Sequence, residues 1–309
     1  MLDQRPAVSV IAAVHDEAVN VEELVQRIRT TMERESLPFE IILVDDGSDD
    51  ATVTILRRLE ADDEHLRVYE LTRNFGQNAA LVCGLFAARG DTLLTLDGDL
   101  QNPPEEIPKL LAALGNASIV TGCRATRHEP FARWVASRCL HWLACWAVGV
   151  SIEDFGGNFK AYQRQVIEEA RKSWAPPKHF FTTALQLGFP VKEVTVRHDP
   201  RRHGQSQYQF ASAVASNMSH LVAHTTLPLL ALGVLGALGM LIGTAGVTMC
   251  WWARDPHWLT CATFLTLSAT SAPLFATGVL GLYLGHILHR GVGGLPSYVV
   301  KEGPRRDAA

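Results

Sequence analysis

In the segment LTLDGDLQNPPEEIP, residues 94–108, an apolar run ends at two aspartates, Asp97 and Asp99, which are separated by a single glycine. Residues two apart in an extended strand point to the same side, so Asp97 and Asp99 can face one ligand, and Gly98 lets it approach closely. Hard divalent cations take oxygen ligands, and Mg²⁺ uses one or two carboxylates together with water and substrate phosphate. Gln101, two residues on, can supply its carbonyl oxygen or hold a coordinated water. The pattern predicts a site for a metal and a diphosphate, although a lone D-x-D is also typical of a solvated turn.

Two further acidic turns, VHDE at 14–17 and VDDGSDD at 44–50, also follow apolar runs. Asp45 or Asp46 can accept hydrogen bonds from the base or ribose of a nucleotide, and Glu17 can do the same. Neither G-x-G-x-x-G nor G-x-x-x-x-G-K-[ST] occurs, so dinucleotide-binding and P-loop interpretations lose their main support.

These turns belong to an alternation of short β-rich runs and helical segments. The predicted strands are 7–14, 40–45, 66–71 and 92–97, and the predicted helices are 20–34, 50–61, 78–88, a segment opened by Pro103 and Pro104, and 131–148. Such alternation implies an α/β domain with a mostly parallel sheet covered by helices. Ligands bind beyond the carboxyl ends of strands in such sheets, so the three acidic turns should line one crevice.

Charge is distributed unevenly along the chain of 309 residues. The formal net charge of −4 gives no general attraction to nucleic acid, and no nucleic-acid partner is predicted. Residues 203–253 and 256–289 contain no Asp, Glu, Lys or Arg. A helix over residues 227–253 would be about 40 Å long, enough to cross a hydrocarbon core of about 30 Å, and residues 259–288 form a similar stretch. Two transmembrane helices are favoured over a pair of buried helices in a soluble core.

Basic residues flank the two apolar stretches. They are Arg201 and Arg202 before the first stretch, and Arg290, Lys301, Arg305 and Arg306 after the second. The positive-inside rule then places both ends of the pair in the cytoplasm. The predicted organisation is a cytoplasmic catalytic domain at 1–208, an interfacial helix or a continuation of the first span at 209–226, two spans within 227–290 with an outer loop near 254–258, and a cytoplasmic tail at 291–309.

The cysteines and the amino terminus favour the same compartment. The six cysteines form no C-x-x-C pair and no metal-ligand spacing with histidine, which supports neither a zinc site nor a disulfide framework. The amino terminus lacks the basic and then apolar layout of a secretory signal. Reduced thiols in a cytoplasmic domain are expected.

Several motifs together carry a family resemblance. VSVIAAVHDE, ILVDDGSDD, LTRNFGQNAALVCGL, TLDGDLQNPPEEIP and RRHGQSQY, followed by two apolar stretches, resemble the polyprenyl-phosphate glycosyltransferases of glycosyltransferase family 2. The chain is most similar to the bacterial enzymes that place formamido-arabinose on undecaprenyl phosphate, with glucosyl and mannosyl relatives close to these.

The resemblance implies a fold, a reaction and partners. The fold is a Rossmann-like GT-A domain with a mostly parallel sheet, followed by two transmembrane helices. The reaction is the inverting transfer of one sugar from a nucleotide sugar, with a UDP-sugar favoured, to polyprenyl phosphate at the cytoplasmic face of the bacterial inner membrane. Mg²⁺ or Mn²⁺ is the implied cofactor, the lipid bilayer is a partner, and a homo-oligomer is possible.

The resemblance also assigns roles by position. Donor-binding residues are Glu17, Asp46, Asp97 and Arg124; metal ligands are Asp97, Asp99 and Gln101; acceptor-phosphate residues are Arg124, Arg127, Arg201 and Ser206; and catalytic positions are Asp97, Asp99, Asp154 and Arg201.

Electrostatics independently requires such cations. Two unit charges about 4 Å apart repel by about 4 kcal/mol at an effective dielectric constant near 20, and a lipid phosphate that attacks a nucleotide diphosphate faces several such pairs. A metal on Asp97 and Asp99 can neutralise the leaving diphosphate, and Arg201 with Arg124 can hold the incoming phosphate. A phosphate monoester is largely anionic at neutral pH, so its attack requires no general base. The segment DPRRH at 199–203 is alternatively a basic patch for the membrane surface.

Departures from the family pattern leave the sugar open. After the first strand, where the family usually has Asn-Glu, this chain has Asp16-Glu17, preceded by His15. Gln207 follows the loop serine where a lysine is common, and Leu282 stands where arabinose-type relatives often have glutamate. A processive polysaccharide synthase should contain Q-x-x-R-W and more spans, which this sequence lacks. A non-catalytic membrane scaffold or lipid-carrier translocase partner would not need the two carboxylates and the basic loop together.

Overall fold

The computed structural model describes residues 5–115, 117–124, 157–172, 180–199 and 298–304, together with Ile152 and isolated positions between 266 and 284. The chain divides into two compact units. The first comprises Met1–Cys145, Gly149–Gln207 and Pro296–Ala309, and it contains all the strands and helices defined below. The second comprises Trp146–Val148 and Tyr208–Leu295.

Eight strands form a single sheet in the first unit. They are β1 Val8–Val14, β2 Phe39–Asp45, β3 Leu66–Leu71, β4 Thr92–Asp97, β5 Ile119–Arg124, β6 Lys160–Gln163, β7 Val191–Val196 and β8 Val300–Glu302. Their order across the sheet is β7-β5-β6-β4-β1-β2-β3-β8. Strands β6 and β8 run antiparallel to their neighbours, and the other pairings are parallel. The predicted mostly parallel α/β sheet is confirmed.

Helices cover both faces of this sheet. They are α1 Val21–Glu35, α2 Thr52–Asp62, α3 Gln77–Ala87, α4 Ile107–Leu114, α5 Arg164–Arg171 and α6 Phe180–Gln186, with a 3₁₀ turn at Pro104–Glu106 before α4. One buried cluster joins α1, α2 and α4 to the sheet, and a second cluster on the other face joins α3, α5 and α6 to it. This layering buries every residue of β1, as expected for a central strand in a parallel sheet.

Helix α1 shows how sequence pattern sets these contacts. Its buried residues include Leu24, Val25, Ile28 and Met32, spaced so that they lie on one side of the helix. Glu22 and Glu23 occupy the first turn, where the helix dipole favours negative charge. The helix closes at Ser36, which adopts the left-handed conformation with φ 55°.

Two strands differ from expectation. No strand was predicted at KAYQ, residues 160–163, yet β6 pairs with β4 over all four residues and with β5 over three of them. Strand β8 lies in the predicted tail and pairs with β3 at the edge of the sheet. Short strands of this kind are stabilised by pairing with distant segments, which local pattern does not indicate.

The predicted membrane segments fall mostly outside the described residues. No helix within the described part of the chain is long and apolar enough to cross a bilayer. Isolated positions of the second apolar stretch are described as helical, among them Leu280 and Leu284, which are 46% and 52% exposed. The predicted helices at 131–148 and 209–226 and the first stretch at 227–253 lie outside the described residues.

Candidate active site

The three acidic turns lie at one edge of the sheet. Strand β1 lies between β2 and β4, with Val14 paired to Asp45 and Ala13 paired to Asp97. Neighbouring strands are about 4.8 Å apart, so the carboxyl ends of β2 and β4 are separated by about 10 Å. That spacing suits a ligand with the length of a nucleotide diphosphate.

The carboxylate of Asp97 is bound by three side-chain amides. Gln77 Nε2 donates to Oδ1 at 2.7 Å, Asn158 Nδ2 donates to the same oxygen at 2.8 Å, and Asn102 Nδ2 donates to Oδ2 at 2.9 Å. Amides carry no net charge, so these contacts orient the carboxylate without neutralising it. A carboxylate held in this way suits a hard divalent cation.

The segment after Asp97 turns instead of continuing as a strand. Strand β4 ends at Asp97, Leu100 has φ 60°, and the Gln101 N–H donates to Asp99 Oδ1 at 3.1 Å. The expected extended geometry around Asp97 and Asp99 is therefore wrong. A Cβ on Gly98 would lie 2.7 Å from Val14 Cγ1 and 2.9 Å from the carbonyl oxygen of Ala13, so glycine is needed there because β1 packs against the turn.

The segment after β7 is hydrogen-bonded to this acidic turn. The Asp199 N–H donates to the Gln101 carbonyl oxygen at 2.8 Å, and the His198 ring nitrogen Nδ1 lies 3.3 Å from Asn102 Oδ1. The chain therefore leaves β7 alongside the D-x-D-x-Q turn, and Arg201 follows Asp199 by two residues.

Asp46 organises a neighbouring loop. Its side chain is 2% exposed and accepts hydrogen bonds from the backbone N–H groups of Phe75, at 2.7 Å, and Gly76, at 2.9 Å. Burial raises the pKa of Asp46, and the two N–H donors oppose that rise. The carboxylate thus fixes the loop between β3 and α3, a role that the sequence did not indicate, while its predicted nucleoside contact stays a prediction.

Asp45, the other acid in the second turn, is also engaged within the protein. It is fully buried, and Ser48 donates to it from both its backbone N–H, at 3.0 Å, and its hydroxyl. Burial raises the pKa of Asp45, the hydrogen bonds from Ser48 oppose the rise, and the nearby Glu70 carboxylate adds to it.

The first acidic turn is tied to the second. The Asp16 N–H donates to Ser48 Oγ at 2.9 Å, and Asp16 Oδ1 accepts the Asp49 N–H at 2.9 Å. Glu17 is half-buried; its backbone N–H donates to Thr52 Oγ1 at 3.0 Å, and its carboxylate accepts the side-chain amide of Asn20. The two turns consequently form one connected rim that includes Asp46.

The remaining predicted site residues are only partly placed. Arg124 ends β5 and pairs by register with Val196 of β7, which puts its backbone at the same sheet edge as the acidic turns. Arg127, Asp154, Arg201 and Ser206 lie outside the described residues. Within the described ranges, no three His, Cys, Asp or Glu side chains are grouped closely enough to hold a metal ion.

Comparison with known proteins assigns the family. Residues 9–181 match the profile described as glycosyl transferase family 2. The chain belongs to glycosyltransferase family 2. It is 34% identical over 294 residues to an undecaprenyl-phosphate 4-deoxy-4-formamido-L-arabinose transferase of Pseudomonas fluorescens, covering 91% of this chain and 85% of that protein. The protein of the same name from Salmonella choleraesuis is 31% identical over 313 residues, covering 98% of this chain and 95% of the relative. This family-2 protein is therefore a glycosyltransferase.

Solved structures agree with the GT-A Rossmann-like fold of this glycosyltransferase. Glucosyl-3-phosphoglycerate synthase from Mycobacterium tuberculosis, in complex with phosphoglyceric acid, superposes with a TM-score of 0.51 at 18% identity, over 70% of this chain and 78% of that one. The same synthase in complex with Mn²⁺ and UDP-glucose gives a TM-score of 0.50 at 19% identity, over 70% and 77%. At this identity the likeness concerns the fold.

Proposed function

We propose that this glycosyltransferase moves one sugar from a nucleotide sugar, with a UDP-sugar favoured, to undecaprenyl phosphate at the cytoplasmic face of the bacterial inner membrane, with inversion at the anomeric carbon. The names of the 31–34% identical relatives support the acceptor. The observation that carries the proposal is the hydrogen bond between Asp199 and Gln101, because it joins the acidic turn to the segment that leads into the basic loop RRHGQS.

A divalent cation, Mg²⁺ or Mn²⁺, would be held by Asp97, Asp99 and the side-chain carbonyl oxygen of Gln101. These oxygen donors fit a hard cation, and the two carboxylates leave room for water and for phosphate oxygens of the donor. When bound, the cation supplies positive charge beside the leaving diphosphate. The synthase of similar fold that was crystallised with Mn²⁺ and UDP-glucose is consistent with this assignment.

The protein side of the reaction is positioning and charge compensation. An oxygen of the lipid phosphate forms the new bond to the anomeric carbon while the bond from that carbon to the nucleotide diphosphate breaks, so the electron pair leaves with the diphosphate. Arg201 and Arg124, with Arg127 and Ser206, would hold the acceptor phosphate, since a guanidinium matches two phosphate oxygens. Asp154, three residues before Gly157, would belong to the same site.

Donor recognition falls to the rim formed by the first two acidic turns. Asp46 would contact the nucleoside while it holds the loop that precedes α3, and Glu17 would lie beside it. Because Asp46 already accepts two backbone N–H groups, a nucleoside contact would use a remaining lone pair of this carboxylate.

Membrane attachment would come from two spans within residues 227–290. The absence of charge from 203–253 and 256–289 supports this assignment, and so do the exposed leucines 280 and 284 in helical backbone. Leucine side chains that are about half exposed on a helix are typical of a surface that contacts lipid.

The test is transfer by purified full-length protein in detergent, with radiolabelled nucleotide sugars, undecaprenyl phosphate and Mn²⁺. Asp99→Ala should abolish metal-dependent transfer, and Arg201→Ala should raise the KM for the lipid. Asp62→Ala and Arg34→Ala, at exposed positions of α2 and α1, are the matched controls. No transfer with any sugar would favour a scaffold, and a polymeric product would favour a processive synthase; either result would overturn the proposal.

A further inference from the structure

The amides around Asp97 come from three separate parts of the fold. Gln77 is the first residue of α3, Asn102 follows the D-x-D-x-Q turn, and Asn158 lies two residues before β6. Three separate backbone segments thus place an amide donor on one carboxylate at 2.7–2.9 Å. We call these residues the amide cradle.

The chemistry of the cradle is matched to a carboxylate that must keep its charge. An arginine or lysine at any of these positions would compete electrostatically with a cation for Asp97, whereas an amide supplies directional hydrogen bonds and no net charge. Hydrogen bonds from outside the ligand shell orient metal ligands, and their removal typically lowers metal affinity or activity by about 10-fold to 100-fold.

We propose that Gln77, Asn102 and Asn158 are positioning residues that hold the Asp97 carboxylate in the orientation in which it binds the divalent cation. The inference rests on the proposed metal role of Asp97. It assigns a function to three side chains, none of which is itself a proposed metal ligand.

Asn102 has a second connection. It is 3% exposed, and while its Nδ2 donates to Asp97 its Oδ1 lies 3.3 Å from His198 Nδ1, on the segment that leads to Arg201. One buried amide therefore links the metal-binding carboxylate to the loop assigned to the acceptor. Removal of Asn102 should affect both metal affinity and the KM for lipid phosphate, whereas removal of Asn158 should affect metal affinity alone.

Burial predicts the rank of the three effects. Asn102 is buried, Asn158 is partly buried and Gln77 is exposed, so water can replace the Gln77 donor most easily. Asn102→Ala and Asn158→Ala should each weaken Mn²⁺ binding by about 10-fold to 100-fold. Gln77→Ala should have a smaller effect, and Gln26→Ala, at an exposed glutamine in α1, should have none.

The experiment measures Mn²⁺ binding by electron paramagnetic resonance, which reports free Mn²⁺, on full-length protein in detergent with UDP present. Transfer assays at graded Mn²⁺ concentrations accompany it. In the cradle variants the apparent dissociation constant for Mn²⁺ should rise, while turnover at excess Mn²⁺ should return to that of the unmodified protein. A general loss of structure would lower turnover at every Mn²⁺ concentration. Asp97→Ala serves as the reference for a lost ligand.

The outcomes are separable from those of the proposed function. If Asp97→Ala loses Mn²⁺ while the Asn158→Ala and Gln77→Ala proteins bind it as the unmodified protein does, the cradle inference is overturned and the metal site stands. If the unmodified protein binds no Mn²⁺ with UDP, both fail. Should Asn102→Ala not fold, Asn158→Ala and Gln77→Ala still test the inference, because Asn158 is only partly buried and Gln77 is exposed at the start of its helix.

Discussion

Gly98 offers the sharpest test of how the fold positions the acidic turn. In Gly98→Ala the new methyl would lie 2.7 Å from Val14 Cγ1 and 2.9 Å from the carbonyl oxygen of Ala13. Carbon atoms in contact prefer about 3.5–4.0 Å, so one side must move by roughly 1 Å. Val14 is buried and β-branched, and the Ala13 oxygen belongs to the backbone of a central strand, so neither can yield easily.

The turn must therefore move, and it carries Asp97 and Asp99 with it. Overpacking of this kind lowers the unfolding free energy by about 1–3 kcal/mol. We expect Gly98→Ala to lower the thermal unfolding temperature and to weaken Mn²⁺ binding in the resonance assay. Gly115→Ala is the matched control, because a Cβ there meets no atom within 4 Å and the backbone has φ −55°.

A second substitution separates the two contacts. Val14→Ala removes the 2.7 Å contact and leaves the 2.9 Å contact with the backbone oxygen, so the Val14→Ala, Gly98→Ala protein should lose less stability than the sum of the two single variants. If Gly98→Ala unfolds at the temperature of the unmodified protein and binds Mn²⁺ equally well, the packing argument is refuted. A loss confined to donor binding would instead indicate that Gly98 makes room for the ligand.

Two further predictions concern buried charges. Burial raises the pKa of Asp45, so this carboxyl should make the unfolding free energy fall as pH rises from about 4, the ordinary aspartate value, through the raised pKa, by up to about 1.4 kcal/mol per pH unit. Asp45→Asn should reduce the slope measured in denaturant titrations and leave the part that comes from Asp46, whose pKa is raised in the same direction. An unchanged slope would contradict the assignment. Arg57 Nη1 donates to Glu60 at 2.9 Å and to the Gly303 carbonyl oxygen at 3.1 Å. Arg57→Ala should therefore lower the unfolding free energy by about 3–5 kcal/mol. It should also make the carboxyl-terminal strand β8 accessible to carboxypeptidase. Adding Glu60→Gln should recover part of that stability, and a tail that stays protected would count against the contact.

The sequence predicts the central strands well because their signal is local. Strands β3 and β4 were predicted with the observed bounds, and β1 and β2 within one residue, since each is an apolar run flanked by polar turns. The helices α1, α2 and α3 were predicted within two residues of their observed ends. Continuous buried runs of this kind are typical of parallel sheets with helices on both faces.

The strand order could not be predicted, because it depends on long-range pairing. The segment KAYQ of β6 has only four residues, yet it inserts between β4 and β5. Strand β8 is three exposed residues, held by pairing to β3 and by Arg57 rather than by its own composition. Neither segment shows a hydrophobic pattern that would distinguish it from a loop.

The site was predicted only in part for a related reason. The acids were found because D-x-D and DDGS follow apolar runs, and their common edge follows from parallel pairing. Of the amide cradle, Asn102 adjoins the acidic motif and Gln77 lies within the motif LTRNFGQNAALVCGL, yet neither side chain was assigned a role from the sequence. Asn158 had no local signal, because its contact depends on the position of β6.

The antiparallel insertion of β6 explains why Asn158 reaches Asp97. Thr95 pairs with Lys160 and Leu94 with Ala161, so continuing this register by two residues sets Asn158 opposite Asp97. An antiparallel strand brings its amino end to the edge where its parallel neighbours have their carboxyl ends. Asn158, which precedes β6, therefore lies at the edge where β4 ends. This geometry lets a residue that directly precedes an antiparallel strand donate to Asp97, the carboxylate proposed as a metal ligand.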